Sequence, residues 1–242
     1  MLSGLADWIW PPRSLLSSQL VDRPGVIEGE LWARLQFLGA PWCARCGMPF
    51  ATPEAEGSIC PVCLAHPPAF ASARAALVYD DLSRSLVLDL KRAGRRDGLK
   101  AFAGWMAQAG AEILAGTDLL LPMPLHWTKL AQRRFNQAAW LTQALAQHTG
   151  KPCDLFALRR VRRRRSQEGL SAAQRRRNVA GAFGLQPKAA TRIAERAVTL
   201  IDDVMTTGAS VQACARTLKR AGAARVDVIT LARVVRPSAR ME

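Results

Sequence analysis

The fold is decided by one stretch near the C-terminus, Val198-Thr199-Leu200-Ile201-Asp202-Asp203-Val204-Met205-Thr206-Thr207-Gly208-Ala209-Ser210. Its apolar and β-branched beginning predicts a buried strand, and the small, hydroxyl-rich residues after the two acids predict a turn that opens a helix. A strand that leads into a helix is the building unit of parallel α/β sheets. The stretch therefore predicts a parallel sheet, with polar side chains at the carboxyl end of one strand.

The same alternation of strands and helices runs through most of the chain. Apolar runs predict strands at residues 75–79, 119–123, 197–201 and 226–232. Helical patterns followed by glycine predict helices at 82–92, 99–114, 137–148 and 210–221. Strands that alternate with helices of this length indicate βαβ units, so the expected fold class is α/β with a doubly wound parallel sheet.

The chemistry of the opening stretch suits a ribose 5-phosphate. Free N–H groups at the start of a helix attract phosphate, and Gly208 lets the backbone approach the anion closely. Asp202 and Asp203 would repel a phosphate at short range, so we expect them to accept hydrogen bonds from neighbouring sugar hydroxyls. The alternative is an exposed acidic turn before a capped helix. A P-loop and a dinucleotide-binding site are excluded, since the GxxxxGK[ST] and GxGxxG motifs are absent. The predicted 5-phosphate site consists of Val204, Met205, Thr206, Thr207, Gly208, Ala209 and Ser210.

The chain is strongly basic. Its 242 residues include 34 Lys and Arg against 19 Asp and Glu, and the net charge of +15 predicts a polyanionic partner or substrate. Nine of the arginines lie between residues 159 and 177, where we expect a mobile cationic loop. Hydrophobic residues make up 49% of the chain, which excludes wholesale disorder. The lack of a long apolar run predicts a cytoplasmic protein without a membrane span.

Four of the six cysteines form two CxxC pairs, Cys43 with Cys46 and Cys60 with Cys63, separated by thirteen residues. Two thiolate pairs on short turns are typical of a tetrahedral zinc site, and four protein ligands leave no open position for catalysis. We therefore expect a structural zinc, with unliganded thiols as the alternative. Residues 1–70 are predicted to hold this site in a small, loop-rich module, and residues 71–242 to form the α/β domain.

The opening stretch resembles the phosphoribosyl diphosphate (PRPP) signature of type I phosphoribosyltransferases, in which two acids bind ribose and the following loop binds the 5-phosphate. The segment Pro122-Met123-Pro124-Leu125-His126 resembles the pyrophosphate loop of the amidophosphoribosyltransferase-like branch of that group. The cysteine pairs, residues 133–138 (RRFNQA), 166–171 (SQEGLS) and 177–183 (RNVAGAF) accompany these motifs in a consistent order. With all of them, the chain resembles the bacterial ComF family.

The ComF resemblance implies a type I phosphoribosyltransferase domain behind a double zinc ribbon, and a genetic association with DNA uptake and competence. It also implies Mg²⁺ together with PRPP, and a flexible hood that closes over pyrophosphate. Pyrophosphate and hood contacts are expected from Pro122, Met123, Pro124, Leu125, His126, Arg133, Arg165, Ser166 and Gln167.

The first of the two ribbons is degenerate in this chain. Where family members typically carry its cysteines, residues 11–17 read PPRSLLS and residues 28–32 read EGELW. We therefore expect one zinc rather than two, with Trp8, Trp10 and Trp32 packing in place of the other metal.

Two functions are compatible with the sequence. The first is a Mg²⁺-dependent PRPP-binding phosphoribosyltransferase-type protein of unidentified acceptor. Thr206 stands where purine-salvage enzymes of this group carry an aspartate, so the loop is not expected to supply a catalytic base. The second is a competence factor that keeps the fold as a scaffold and binds single-stranded DNA, or proteins of the competence machinery. Lys91, at the end of a predicted helix, is expected to complement the helix C-terminus and stay solvated, with a contact to pyrophosphate or DNA as the alternative.

Overall fold

The computed structural model describes residues 11–92, 96–125, 130–131, 134–161 and 181–235. Within these ranges the strands are β1 (Ala73–Val78), β2 (Leu119–Pro122), β3 (Leu158–Arg160), β4 (Phe183–Leu185), β5 (Ala197–Met205) and β6 (Arg225–Arg233). The helices are α1 (Gly29–Arg34), α2 (Pro61–Ala65), α3 (Asp81–Arg92), α4 (Leu99–Ala109), α5 (Ala111–Ala115), α6 (Gln137–Thr149), α7 (Ala189–Ile193) and α8 (Ala209–Arg220).

Four strands form one parallel sheet in the order β1, β6, β5, β2. Successive residues of β5 face different helical layers. Leu200 packs with Val211 and Cys214 of α8, whereas Ile201 packs in the core that holds α4 and α6. Helices thus cover both faces of the sheet, which explains why its two central strands are almost wholly buried. The predicted α/β class with a doubly wound parallel sheet is confirmed.

Two predicted elements depart most from their predicted bounds, each for a tertiary reason. Strand β5 continues four residues beyond its predicted end, because Met205 still pairs with Arg233 of β6. The helix predicted at residues 99–114 is divided into α4 and α5 at Gly110. A Cβ on Gly110 would collide with Cδ1 of Ile229, so the break lies where the helix passes closest to the sheet.

A short antiparallel hairpin of β3 and β4 lies beside the main sheet and was not predicted. Arg160 pairs with Phe183, so the described residues on either side of positions 162–180 lie next to each other. Residues 162–180, which include most of the arginines predicted to form a mobile loop, lie outside the described residues.

The N-terminal residues pack directly on the edge of the sheet. Leu15, Ile27 and Leu35 are buried in the same cluster as α4, and Phe37 bridges Leu77 of β1 in an antiparallel sense. Residues 1–10, with two of the three tryptophans expected to replace the first metal site, are outside the described ranges.

The third of these tryptophans, Trp32, packs against aromatic side chains. Its ring centroid lies 5.2 Å from that of Phe37 and 5.6 Å from that of Trp105. Helix α4, which carries Trp105, thereby contacts α1. In the described part of the chain, no helix combines the length and apolar character needed to cross a bilayer.

Candidate functional site

The segment that begins at Pro122 and the end of β5, which carries the two acids, lie side by side at the carboxyl edge of the sheet. Pro122, the last residue of β2, pairs with Ile201 of β5, and the N–H of Met123 donates to the carbonyl of Ile201 over 2.8 Å. Pro124 is buried like its two predecessors, and Leu125 is half-buried. The segment predicted to meet pyrophosphate therefore starts against the strand that carries Asp202, the first of the two acids.

Asp203 is buried at this edge, and its carboxylate already accepts three hydrogen bonds. Oδ2 accepts from Nζ of Lys91 at 2.8 Å and from Nε2 of Gln137 at 3.0 Å, while Oδ1 accepts from the N–H of Val204 at 2.7 Å. The prediction that Lys91 stays solvated is wrong, because its side chain is only 22% exposed and makes this ion pair. Lys91 thus brings a positive charge to the place where the acids meet the loop.

Asp202 is half-buried and accepts a hydrogen bond at Oδ1 from the N–H of Asp203 over 2.9 Å. Burial, and after it the nearby charge of Asp203, raise the pKa of Asp202 well above its ordinary range. A proton on this carboxyl would reduce the negative charge that an approaching anion meets. The two acids therefore differ, since Asp203 is held by a lysine and Asp202 is not.

The turn after β5 presents backbone donors. Gly208 adopts a left-handed conformation with φ of 71°, and α8 begins at the next residue with no side-chain cap on its first turn. The first intrahelical bond runs from the N–H of Gln212 to the carbonyl of Gly208, so the amides between them have no partner in the helix. Thr206 and Thr207 are exposed beside this turn. Backbone donors and side-chain hydroxyls thus occur together within one short turn.

Two residues of the RRFNQA segment, for which the sequence predicted no individual contact, connect the loop after β2 to β5. Asn136 caps α6 by accepting from the N–H of Ala138 at 3.1 Å, and its Nδ2 donates to the carbonyl of Met123 at 3.1 Å. Gln137 follows it and donates to Asp203. An asparagine directly before a predicted helix is a capping signal, but its second contact was not visible in the sequence.

Several predicted contacts lie outside the described residues. They are His126, Arg133, Arg165, Ser166 and Gln167. Among the described neighbours of the site, Arg96 lies over the ring of Trp140 at 4.1 Å, and Phe135 stacks on the same ring at 4.1 Å with an interplanar angle of 11°. Trp140 of α6 therefore lies in a stack with the guanidinium of Arg96 and the ring of Phe135.

The cysteine pairs converge on one point. The four Sγ atoms of Cys43, Cys46, Cys60 and Cys63 lie within 4.8 Å of one another, so the cluster could bind one zinc ion. Sγ of Cys43 accepts from the N–H groups of Cys46 at 3.5 Å and Cys60 at 3.3 Å. Burial opposes ionisation of Cys43, but N–H donors to its sulfur outweigh that effect and lower its pKa to about 7. Among the described residues this is the one group with metal-ligand geometry.

Comparison with known proteins places the chain in a family. It is 34% identical over 199 residues to the "DNA utilization protein YhgH" of Salmonella typhimurium, covering 80% of this chain and 84% of that protein. It is also 34% identical over 116 residues to "Competence protein F" of Haemophilus influenzae, covering 48% of this chain and 50% of that protein. The chain belongs to the ComF family.

No family model matches the chain of this ComF member. Solved structures similar to it include a glutamine phosphoribosylpyrophosphate (PRPP) amidotransferase from B. subtilis. That likeness has 20% sequence identity and a TM-score of 0.40, and it covers 59% of the ComF chain and 30% of the length of the larger enzyme.

Proposed function

We propose that this ComF member binds PRPP with Mg²⁺ as a phosphoribosyltransferase-type protein linked to DNA uptake. The observation that carries the proposal is the shared carboxyl edge of β2 and β5. There Asp202 and Asp203 precede a turn rich in free amides, and the loop from Pro122 to Leu125 begins on the neighbouring strand. A sugar with phosphates at both ends needs hydroxyl acceptors between two anion sites, and this edge supplies that order.

In this proposal Asp202 and Asp203 accept hydrogen bonds from the ribose hydroxyls. Residues 204–210 hold the 5-phosphate with backbone N–H groups and the hydroxyls of Thr206, Thr207 and Ser210. Residues 122–125, together with His126, Arg133, Arg165, Ser166 and Gln167, face pyrophosphate.

Magnesium fits the same edge because carboxylate and phosphate oxygens are its preferred ligands. When bound with PRPP, the ion would offset the negative charge of the diphosphate. Lys91 adds a fixed positive charge 2.8 Å from Asp203, so the protein itself supplies part of the compensation. The four-cysteine cluster is a different site from the proposed magnesium site, and in the proposal it holds a single structural zinc.

The link to DNA uptake is supported by the names of the relatives. One relative is called a DNA utilization protein and another a competence protein. The net charge of +15 is in keeping with a role near a polyanion.

Calorimetric titration with PRPP and Mg²⁺ tests the proposal. The native protein should bind, whereas Asp202→Asn and Asp203→Asn should each weaken binding, because an amide accepts less strongly from a hydroxyl than a carboxylate does. Asp22→Asn removes an exposed acid far along the chain and is the matched control. A native protein that shows no heat of binding with PRPP and Mg²⁺ would refute the proposal.

A second function, single-stranded DNA binding, is favoured by a groove between α4 and α6. Its volume is about 710 Å³, and its walls include Arg96, Lys100, Trp140 and His148. Cationic grooves with planar side chains are what proteins use to hold single strands without sequence preference, and the exposed plane here is the guanidinium of Arg96 over Trp140. The expected affinity for a labelled oligonucleotide falls with salt, with a logarithmic slope of about 0.7 for each phosphate contacted.

Variants separate this second function from general charge effects. Trp140→Leu and Arg96→Gln should weaken binding of the oligonucleotide, whereas Lys188→Gln, which removes an exposed cation away from the groove, should change it little. Equal affinities of all three variants would exclude the groove as the DNA site.

A further inference from the structure

Arg233 is a buried cation at the junction of the cysteine cluster and the phosphate loop. It is the last residue of β6 and is only 4% exposed. Its Nη1 donates to the carbonyl of Cys46, inside the first cysteine pair. Its Nε is buried and has no hydrogen-bond partner in the described part of the chain.

The guanidinium of Arg233 lacks a carboxylate partner among the described residues. The neighbouring buried arginine, Arg74, forms an ion pair with Glu112, but no acid pairs with Arg233. A buried charge without an opposite charge is unfavourable. Zinc held by four thiolates carries a net charge of −2, so a metal-loaded cluster beside Cys46 supplies the missing counter-charge, whereas four neutral thiols do not. The surroundings of the cysteines therefore fit a bound zinc.

The backbone of Arg233 connects this cluster to the phosphate loop. Arg233 pairs with Met205 across the sheet, and the N–H of Val234 donates to the carbonyl of Met205 at 3.0 Å. Thr206 and the rest of the loop follow immediately. On its other side, Arg233 accepts at its carbonyl from the N–H of Tyr79 at 2.7 Å. Arg233 thus contacts the cysteine cluster through its side chain and β5, the strand before the phosphate loop, through its backbone.

The first cysteine turn is also pressed against β1, so it has little freedom to move alone. The N–H of Ala73 donates to the carbonyl of Arg45 at 2.8 Å, and Nη1 of Arg74 donates to the carbonyl of Ala44 at 3.2 Å. A Cβ on Gly47 would collide with the carbonyl oxygen of Ala73. A shift of this turn would therefore be transmitted to the sheet.

We propose that Arg233 is the counter-cation of a zinc–tetrathiolate centre at Cys43, Cys46, Cys60 and Cys63. Through Arg233, metal at this centre stabilises the start of the phosphate loop at Met205. Zinc in this protein then does more than hold a peripheral module, since it supports the strand end from which the anion-binding turn begins. The inference goes beyond PRPP binding and does not depend on it.

Zinc affinity, measured by competition with a colorimetric chelator, tests whether Arg233 is the counter-cation of the zinc centre. Arg233→Gln should lower the affinity about 10- to 100-fold, which is the usual effect of removing a partner that contacts a metal ligand. Arg233→Lys keeps the charge and should recover part of that loss. Arg216→Gln removes an exposed arginine from α8 and should match the native protein. Native affinity in Arg233→Gln would overturn the proposal.

Hydrogen exchange of the native protein, with zinc and after chelation, tests whether zinc stabilises the start of the phosphate loop. The experiment needs no PRPP. Removal of zinc should speed exchange in peptides covering residues 204–212, while peptides from the middle of α6 keep their rates. In Arg233→Gln the same peptides should already exchange quickly, and chelation should add little. Unchanged rates at residues 204–212 would overturn the link, and so would equal acceleration throughout the protein, which would indicate global unfolding. Neither result depends on whether PRPP binds.

Discussion

Replacing Lys91 with methionine isolates the ion pair that holds Asp203. The side chain of Asp203 is 7% exposed and that of Lys91 is 22% exposed, so Lys91→Met leaves a buried carboxylate without its cation. Hydrogen bonds to charged groups contribute about 1.5–3 kcal/mol, and breaking a fully buried pair costs about 3–5 kcal/mol. Because Gln137 and the N–H of Val204 still contact the carboxylate, we expect a loss of about 2 kcal/mol in the free energy of unfolding.

Urea denaturation followed by tryptophan fluorescence measures this loss. Lys100→Met, an exposed lysine on α4, is the matched control and should change stability by less than about 0.5 kcal/mol. In the double variant Lys91→Met/Asp203→Asn the carboxylate is gone, so the two single effects should fail to add by about 1–2 kcal/mol. A Lys91→Met protein as stable as the Lys100→Met control, or strictly additive effects, would refute the view that the pair holds this edge together.

Three further predictions concern the fold and the pH response of the site. Gly110→Ala should lower the free energy of unfolding by about 1–3 kcal/mol in urea denaturation, because its methyl group collides with Ile229, whereas Gly39→Ala has open space and should be neutral. Asn136→Ala should cost about 1–2 kcal/mol by the same assay, since it removes a helix cap and a bond to the β2 loop, and a neutral effect would contradict that role. Because folding raises the pKa of Asp202, its native state binds the proton more tightly than the unfolded state, and Asp202 contributes less stability as pH rises from about 4 through the raised pKa. Asp202→Asn should therefore gain stability relative to the native protein between pH 5 and pH 8 in denaturation series, and a difference that is constant with pH would contradict the raised pKa.

The local patterns predicted the elements well where neighbouring residues decide the structure. The apolar run before Asp202 is a strand, and the small turn after Met205 opens α8, as the residue types indicate. The CxxC pairs predicted a four-thiol cluster because each short turn places two of the four thiols next to each other. The cluster is present. Family membership was likewise contained in the order of the motifs.

The sequence failed to predict features that depend on contacts between residues far apart in the chain. Lys91 was expected to remain solvated because it lies at the end of a helix, but the fold brings it to Asp203. The division of the helix at Gly110 is linked to Ile229 of β6, a residue far along the chain. The β3–β4 hairpin is too short for a periodic pattern to reveal it.

Residues close together in the chain set the strand–turn–helix unit, the position of the two acids and the cysteine spacing, so these features could be read from the sequence. The compensation of the charges depends instead on the fold. Among the described residues, Lys91 forms an ion pair with Asp203 and not with Asp202, while Arg233 contacts the carbonyl of Cys46 and pairs with no acid. The energy of a buried charge depends on the opposite charges within a few ångströms, and folding alone sets those distances.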